Sequence, residues 1–363
     1  MLELNHFPNY LEISRDALVH NAKAIAEYVG TKVIGVLKCE GYGVSIPEAA
    51  RSWQQAGVTM FAVSTPTEAI ALRQENFQEE ILLLSPVADG DTLGILAENN
   101  IILTVTDLEN AQFYSSYDSG APLRVHVAVD TGMGRFGVRW TDPQQLMAIY
   151  EVPGLCFEGI FSHFAASFEK DFNQTKLQLN RFLQVVDELQ SAGYSVGMRH
   201  IANSCAALRF PETRLDAVRI GSALVGALNA SVDLPLQRVG TLKAQVVARK
   251  TFLPGDTTGY ASVCRIKRPT DAIVVAIGHE CGFGVLWVPD RFSLRNLASY
   301  IYHTVMHYFR PPCVTYNGKQ LPMIGRLGNQ FTLFDATGVD IQPGEYVSAR
   351  VNLLFPGRNR TFI

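Results

Sequence analysis

Lys38 closes the apolar run TKVIGVLK and is followed by a glycine-rich turn, CEGYG, that carries Tyr42. A Val/Ile/Leu-rich strand of this kind, buried on both faces, would deliver the amine to a strand mouth, where it could attack a carbonyl or move protons. A lysine alone in such a place reads as a solvated residue ending a strand. The residues downstream change that reading. Asp130 and Arg135 follow LRVHVAVD, and His163 ends LCFEGIFSH. Asn203 and Ser204 follow YSVGMRHIA, while Arg219, Gly221 and Ser222 close LDAVRIGS. In each case the polar group falls at the carboxyl end of an apolar run.

With the Lys38 run, the runs TMFAVS, EEILLLSP, IILTVT, LRVHVAVD, LCFEGIFSHFA, YSVGMRHIAN and LDAVRIG make eight strand candidates. Between them, segments such as IPEAARSWQQAG, TEAIALRQEN, QQLMAIYE and KDFNQTKLQLNRFLQVVDELQSAG space their apolar residues as helices do. Repeated strand-then-helix units predict an α/β fold, a (β/α)8 barrel of TIM type over residues 1–229, with chemistry at the carboxyl ends of its strands. Phosphate in such barrels is often held by the loops after strands seven and eight, where Ser204, Gly221 and Ser222 offer small side chains and backbone N–H groups. An amine, a phosphate cradle and a barrel together suggest pyridoxal 5'-phosphate (PLP), because lysine condenses with that cofactor's aldehyde.

Past Asn229 the pattern changes. TLKAQVVARK, DAIVVAIG, CVTYNG and FTLFDAT read as strands separated by PGD, NGK and PGE turns, which predicts a β-rich second domain over residues 230–363. Within it, Leu297, Tyr300, Ile301 and Val305 recur at helical spacing and predict a helical insertion at 289–312.

The segments VLKCEGYG, VHVAVDTGMGRFGV, FSHFA, HIANSCAALRFPE, DAVRIGSALVG, LPGDTTGYAS and NGKQLPMIGR, in this order, resemble the alanine racemase family of fold type III PLP enzymes. The resemblance implies that Lys38 holds PLP and acts as one acid/base, and that Tyr42, Ser204, Gly221 and Ser222 bind its phosphate. It places Arg219 at the pyridine nitrogen. A guanidinium only donates, so it would keep that nitrogen unprotonated and limit electron withdrawal into the ring. His163, Asn203 and Arg135 join the cofactor set, Arg135 near the cofactor hydroxyl and the substrate carboxylate. The second catalytic base would be Tyr260, in TTGYAS, supplied by the partner subunit of a homodimer. Racemisation needs two bases on opposite faces of Cα, and a phenol with an ordinary pKa of about 10 needs help, which His163 and Arg219 could give.

Several positions depart from the family's pattern. Ala128 stands where a lysine, often carbamylated, commonly orients the following arginine. IGHECG places His279 where a tyrosine at the active-site entrance is expected, and GRLGNQ places Asn329 on the substrate side. These changes suit alanine as the leading substrate with serine or another small polar amino acid as an alternative; they also suit a catalytically weakened PLP-binding protein with a regulatory or carrier role. A fold type III decarboxylase is a further reading, but the acidic cysteine-containing motif those enzymes usually carry is not found.

Composition sets the outer limits. The 363 residues suffice for two domains, and a net charge of −3 gives no reason to expect nucleic acid. Six cysteines without a CxxC pair fit reduced thiols. MLELNHFPNYLEISRD shows no apolar leader core and no run reaches membrane-spanning length, so the expected setting is cytoplasmic, with no membrane partner. GMGRFG (Gly132–Gly137) matches a dinucleotide fingerprint, but no convincing helix follows it. His303 and His307 are spaced as half a metal site without an evident third ligand, so no metal is expected.

Overall fold

The first strand, β1 (Asn9–Ile13), does not join the strands that come next in sequence. The computed structural model describes residues 8–228, 232–285, 293–354 and 359–363, without the side chains of 295, 307 and 308. The chain divides into two compact units, Arg15–Val239 and a second made of Met1–Ser14 with Gly240–Ile363. This division differs from the expected break after residue 229. Residues up to 239 stay with the barrel because buried Asn21 exchanges hydrogen bonds with the backbone of Gln237 (2.7 Å each way) and donates to the carbonyl of Leu224 (3.2 Å).

In the first unit the strands are β2 (Lys32–Val36), β3 (Met60–Val63), β4 (Glu80–Leu83), β5 (Leu103–Val105), β6 (Leu123–Asp130), β7 (Val138–Arg139), β8 (Leu155–Phe161), β9 (Met198–His200) and β10 (Ala217–Ile220). Eight of them pair in parallel in the order β4-β3-β2-β10-β9-β8-β6-β5, with β7 beside the end of β6. A parallel bridge between Leu82 and Ile102 closes the ring into a barrel. Alternate residues take opposite faces, as the pleat requires. Ile34, Val36, Met60, Ala62, Leu82, Ile102 and Ala217 form one buried cluster, joined by the half-buried Tyr42. On the other face of β2, a Cβ at Gly35 would lie 2.9 Å from the ring of Trp53, so glycine lets a helix pack close.

The connecting helices are α1 (Arg15–Val29), α2 (Ile46–Gln55), α3 (Pro66–Gln74), α4 (Gly90–Glu98), α5 (Leu108–Ser115), α6 (Pro143–Tyr150), α7 (Asn173–Ser191) and α8 (Ser204–Arg209). Their starts are fixed locally. Asp89, Asp107 and Asp142 each accept the N–H three residues on, at 2.8, 2.8 and 3.1 Å.

The second unit is built on β11 (Gly240–Phe252), whose first half alternates buried and half-buried residues. With β12 (Thr257–Thr258), β13 (Cys264–Arg265), β14 (Thr270–Val275), β15 (Cys313–Tyr316), β16 (Lys319–Ile324), β17 (Thr332–Asp335), β18 (Tyr346–Ala349) and β19 (Arg360–Phe362), it is mostly β. β1 pairs antiparallel with β11, Leu11 opposite Leu242, which is why this amino-terminal segment belongs here. β11 also pairs with both β18 and β14, joining the ends of the path β14-β17-β16-β15-β18. The NGK turn joins β15 to β16 through Asn317 and Gly318 at φ 46° and 78°. One helix, α9 (Leu294–Phe309), lies in the stretch expected to be helical and is capped by Ser293, whose hydroxyl accepts the Asn296 N–H at 3.0 Å. Residues 289–292 and the side chain of His307 lie outside the described residues. Among the described residues no helix is long and apolar enough to cross a membrane.

Candidate active site

Beyond β2 the backbone changes hand. Cys39, Glu40, Gly41, Tyr42 and Gly43 have φ of 53°, 57°, 62°, 57° and 84°. The Tyr42 N–H donates to the Lys38 carbonyl (2.9 Å) and the Gly43 N–H to that of Cys39 (3.0 Å), so the segment is a turn of left-handed helix. Left-handed backbone costs an L residue about 1–2 kcal/mol, so Cys39, Glu40 and Tyr42 together hold on the order of 3–6 kcal/mol of strain. This tight reversal puts the Tyr42 ring 5.9 Å from the Lys38 Nζ. The sequence shows only a glycine-rich turn here; two glycines among five residues do not announce five consecutive positive φ values.

Tyr42 then meets the end of β10. A Cβ at Gly221 would lie 2.3 Å from the Tyr42 Oη, so only glycine admits the phenol. Burial pushes the Tyr42 hydroxyl up, which keeps it a donor. Beside it, the N–H groups of Gly221 and Ala223 point at the Ser204 Oγ (3.3 and 3.4 Å). Asn203 caps α8, its Oδ1 accepting from the Ala206 N–H (3.1 Å) and the Ser167 hydroxyl (2.8 Å). Tyr42, Ser167, Asn203, Ser204 and Gly221 line one cavity of about 430 Å³ together with Lys38, Arg135, His163, Arg219 and Ser222, and among the described residues no Asp or Glu lines it.

Arg219 is the most buried of the cavity's cations, at 4% exposure. Its Nη1 donates to the Nδ1 and carbonyl of His200 (2.6 and 3.1 Å), and its Nη2 to the Ser162 carbonyl (2.6 Å) and His163 Nδ1 (3.1 Å). Burial first, then the Arg135 charge, lowers it to about 9, which leaves it charged at neutral pH. Because a guanidinium only donates, both Nδ1 atoms must accept, and each neutral ring carries its proton on Nε2. His200 Nε2 therefore donates to His126 Nδ1 (2.9 Å). Burial, reinforced by Arg219, lowers His163 and His126 to about 3 and His200 well below the ordinary value, so all three rings are neutral.

Sequence reasoning missed the groups behind this array. Buried Gln178 of α7 donates to the His163 carbonyl (3.0 Å) and Thr131 Oγ1 (3.2 Å) and accepts from the Ala165 N–H (3.0 Å), fixing the end of β8. A glutamine on the apolar face of KLQLNRFLQVV was the available signal.

Comparison with known proteins decides the family. A profile described as "Alanine racemase, N-terminal domain" matches residues 13–229. The chain belongs to the alanine racemase family. It is 30% identical over 380 residues to "Alanine racemase" of Desulfosudis oleivorans, covering 99% of this chain and 90% of that protein. It is 29% identical over 334 residues to "Serine/alanine racemase" of Enterococcus gallinarum, covering 89% of this chain and 44% of that protein. Among solved structures, alanine racemase from Bacillus anthracis with bound L-Ala-P superposes with a TM-score of 0.80 at 26% identity, covering 99% of this chain and 95% of that one. By this membership the protein is an amino-acid racemase, an isomerase, and PLP is the cofactor on which the family depends.

Ala128, at the position where a lysine supporting Arg135 is expected, is 2% exposed in the cavity wall. The loop after β6 is fastened through its backbone. Asp130 Oδ1 accepts three N–H groups, from Gly132, Met133 and Gly134 at 2.9, 2.9 and 3.0 Å, and a Cβ at Gly137 would lie 2.7 Å from the Ala128 carbonyl. The GMGRFG glycines thus fold a tight loop onto β6. The Arg135 guanidinium lies 5.9 Å from the Phe136 ring, and among the described residues it makes no ion pair with an acid.

The remaining candidates belong to the second unit. Tyr260 is 81% exposed, on a turn whose Gly259, Ala261 and Ser262 have φ of 81°, 56° and 50°. His279 and Asn329 are brought together: the His279 N–H donates to the Gly328 carbonyl (3.0 Å) and the Glu280 N–H to that of Asn329 (3.1 Å). Both side chains are exposed.

Proposed function

We propose that this protein racemises alanine by a two-base mechanism in which Lys38 of one subunit and Tyr260 of its partner exchange the α proton, PLP being held by the barrel cavity. The observation that carries the reading is the cavity's donor set: one amine, two guanidinium groups, hydroxyls and backbone N–H groups, and no lining carboxylate. A dianionic phosphate and a substrate carboxylate match those cations. The glycine that admits the Tyr42 phenol fits a phosphate cradle formed with Ser204, Gly221 and Ser222. Arg219 offers donors only, which suits an unprotonated pyridine nitrogen.

When bound, PLP supplies an electron sink that makes an amino acid's α proton removable. The protein's own groups do the rest. Lys38 holds the cofactor and moves a proton on one face. Arg135 receives the substrate carboxylate, and Asn203 supports the cofactor side. His163, with its proton on Nε2, is a neutral donor able to hold negative charge on a phenol oxygen supplied by the partner's Tyr260. A homodimer in the cytoplasm is the setting that this reading requires. Serine is the second substrate, favoured by the adjacent polar pair His279 and Asn329.

The test is deuterium wash-in at Cα, followed by NMR with chirality analysis, when PLP-loaded protein meets a panel of L- and D-amino acids in D2O. Exchange with inversion, fastest for alanine, is expected. Exchange without inversion would remove the second base, and absence of exchange with every amino acid would leave a binding or carrier role.

A further inference from the structure

The carboxylate of Glu68 is divided between two turns. Its Oε2 accepts the N–H groups of Ser64 (2.9 Å) and Thr65 (3.1 Å), while the Thr65 hydroxyl accepts the Glu68 N–H (3.3 Å), a capping box at the start of α3. Helix capping needs only that oxygen. The other, Oε1, reaches to the N–H of Cys39 at 3.1 Å, the first residue of the left-handed turn. Lys38 itself enters the turn in extended conformation, at φ −106° and ψ 162°. The peptide joining it to Cys39 is therefore where the backbone changes hand.

We propose that Glu68 is a positioning residue for Lys38: by holding the Lys38–Cys39 peptide it sets the two dihedrals that aim the amine into the cavity. The Cys39 N–H is an orphan donor of the turn. The first N–H of a helical turn has no partner inside the turn, in either hand. The Lys38 carbonyl of the same peptide is already taken by the Tyr42 N–H (2.9 Å). With Glu68 in place both polar groups of the Lys38–Cys39 peptide are bonded. Without it, nothing charged opposes relaxation of Cys39 toward negative φ, and a strained turn relaxes where it is least held.

The inference rests on the reading of Lys38 as the PLP lysine, and the experiment separates the two. Glu68→Gln is the informative variant because an amide has one accepting oxygen. Two donors at the cap outweigh one at Cys39, so the amide oxygen turns to Ser64 and Thr65, and the NH2 then faces the Cys39 N–H. The cap survives and the bridge does not. In the holoenzyme, Glu68→Gln is expected to melt within a degree or two of wild type. Amide exchange across residues 38–43 should be about tenfold faster and PLP release about tenfold faster, the loss of one charge-assisted hydrogen bond. The visible absorbance of bound cofactor should shift its pH titration, and kcat should fall with little change in KM. Adding Cys39→Gly, which makes a left-handed φ free of penalty, should recover most of the lost PLP retention. Unchanged exchange and retention in Glu68→Gln, or no recovery on adding Cys39→Gly, would overturn the proposal. Wild-type protein with no PLP trapped on Lys38 by borohydride would instead overturn the functional reading beneath it.

Discussion

Arg124, early in β6, is bonded through two nitrogens to Glu158 (2.7 and 2.9 Å) and through Nη2 to Glu80 (2.6 Å), whereas Arg219, near the carboxyl end of β10, donates to carbonyls and neutral imidazoles. The same contrast runs around the barrel. Arg199 pairs with Asp216 (2.8 Å) on the side of the strand starts, while Lys38, Arg135 and Arg219 share a cavity that no carboxylate lines. Hydrogen bonding to Glu158 pushes Arg124 up from its ordinary value; burial pushes Arg219 down. One rim spends its cations on stapling strands together, and the other keeps them uncompensated for an anionic ligand. That difference locates function without reference to any relative.

The comparison breaks most severely at Lys38. On the proposed mechanism Lys38→Ala removes both an acid/base and the covalent anchor, so it should lower kcat/KM by roughly 10³- to 10⁴-fold, and borohydride should trap no cofactor on the chain. Residual activity above a hundredth of wild type, measured by chiral chromatography of alanine, would show that the unpaired rim is not where the reaction occurs. Tyr260→Phe should cost about 10²- to 10³-fold in racemisation. Its sharper signature is qualitative: solvent deuterium should still enter one enantiomer through the Lys38 face while inversion is lost. Equal loss in both directions of exchange would argue that Tyr260 packs rather than reacts.

The neutral histidines bonded into the Arg219 array make that side of the barrel the acid-sensitive one. His163 and His126 titrate at about 3 and His200 well below its ordinary value, whereas an unfolded histidine binds its proton near pH 6.5. Between about pH 3 and 6.5 the unfolded state therefore holds more protons, so stability rises with pH across that window and falls on acidification. Going from pH 7 to 5.5 should cost about 1.3 kcal/mol per histidine, about 4 kcal/mol in all, readable from urea midpoints. A midpoint flat over that range would mean that these rings are not buried neutral.

The strands, the barrel order and the cation-bearing rim were legible in the sequence because they rest on periodicity: apolar runs spaced by amphipathic helices leave few topologies, and polar residues at run ends follow. What was not legible is whatever depends on a backbone change of hand or on contact between distant chain positions. CEGYG reads as a turn, but its left-handed backbone goes with a fit of the Tyr42 phenol against Gly221, far away in sequence. The amino-terminal strand Asn9–Ile13 looks like the barrel's beginning, yet its hydrogen bonds go to β11. Gln178 and His126 read as a helix polar residue and a strand residue, and only the closed barrel turns them toward the His163 and Arg219 array.

The stapled rim supplies the smallest and most discriminating test. Arg124→Ala leaves Glu158 and Glu80 without their shared partner at the half-exposed end of β6. Partly exposed ion pairs are worth little singly, but a bidentate arginine bridging two carboxylates is the favourable geometry, so a loss of about 1–2 kcal/mol is expected in urea unfolding. Salt should shrink the difference between wild type and variant, because the staple is partly in water. Racemase kcat and KM at 25 °C should stay within about twofold, since no catalytic group touches Arg124 and a modest stability loss does not move a folded site. A large fall in kcat at unchanged stability would mean that the two rims are coupled through β6 to the Arg135 loop. The division of labour between stapling and waiting cations would then be a gradient along each strand rather than a separation of its ends.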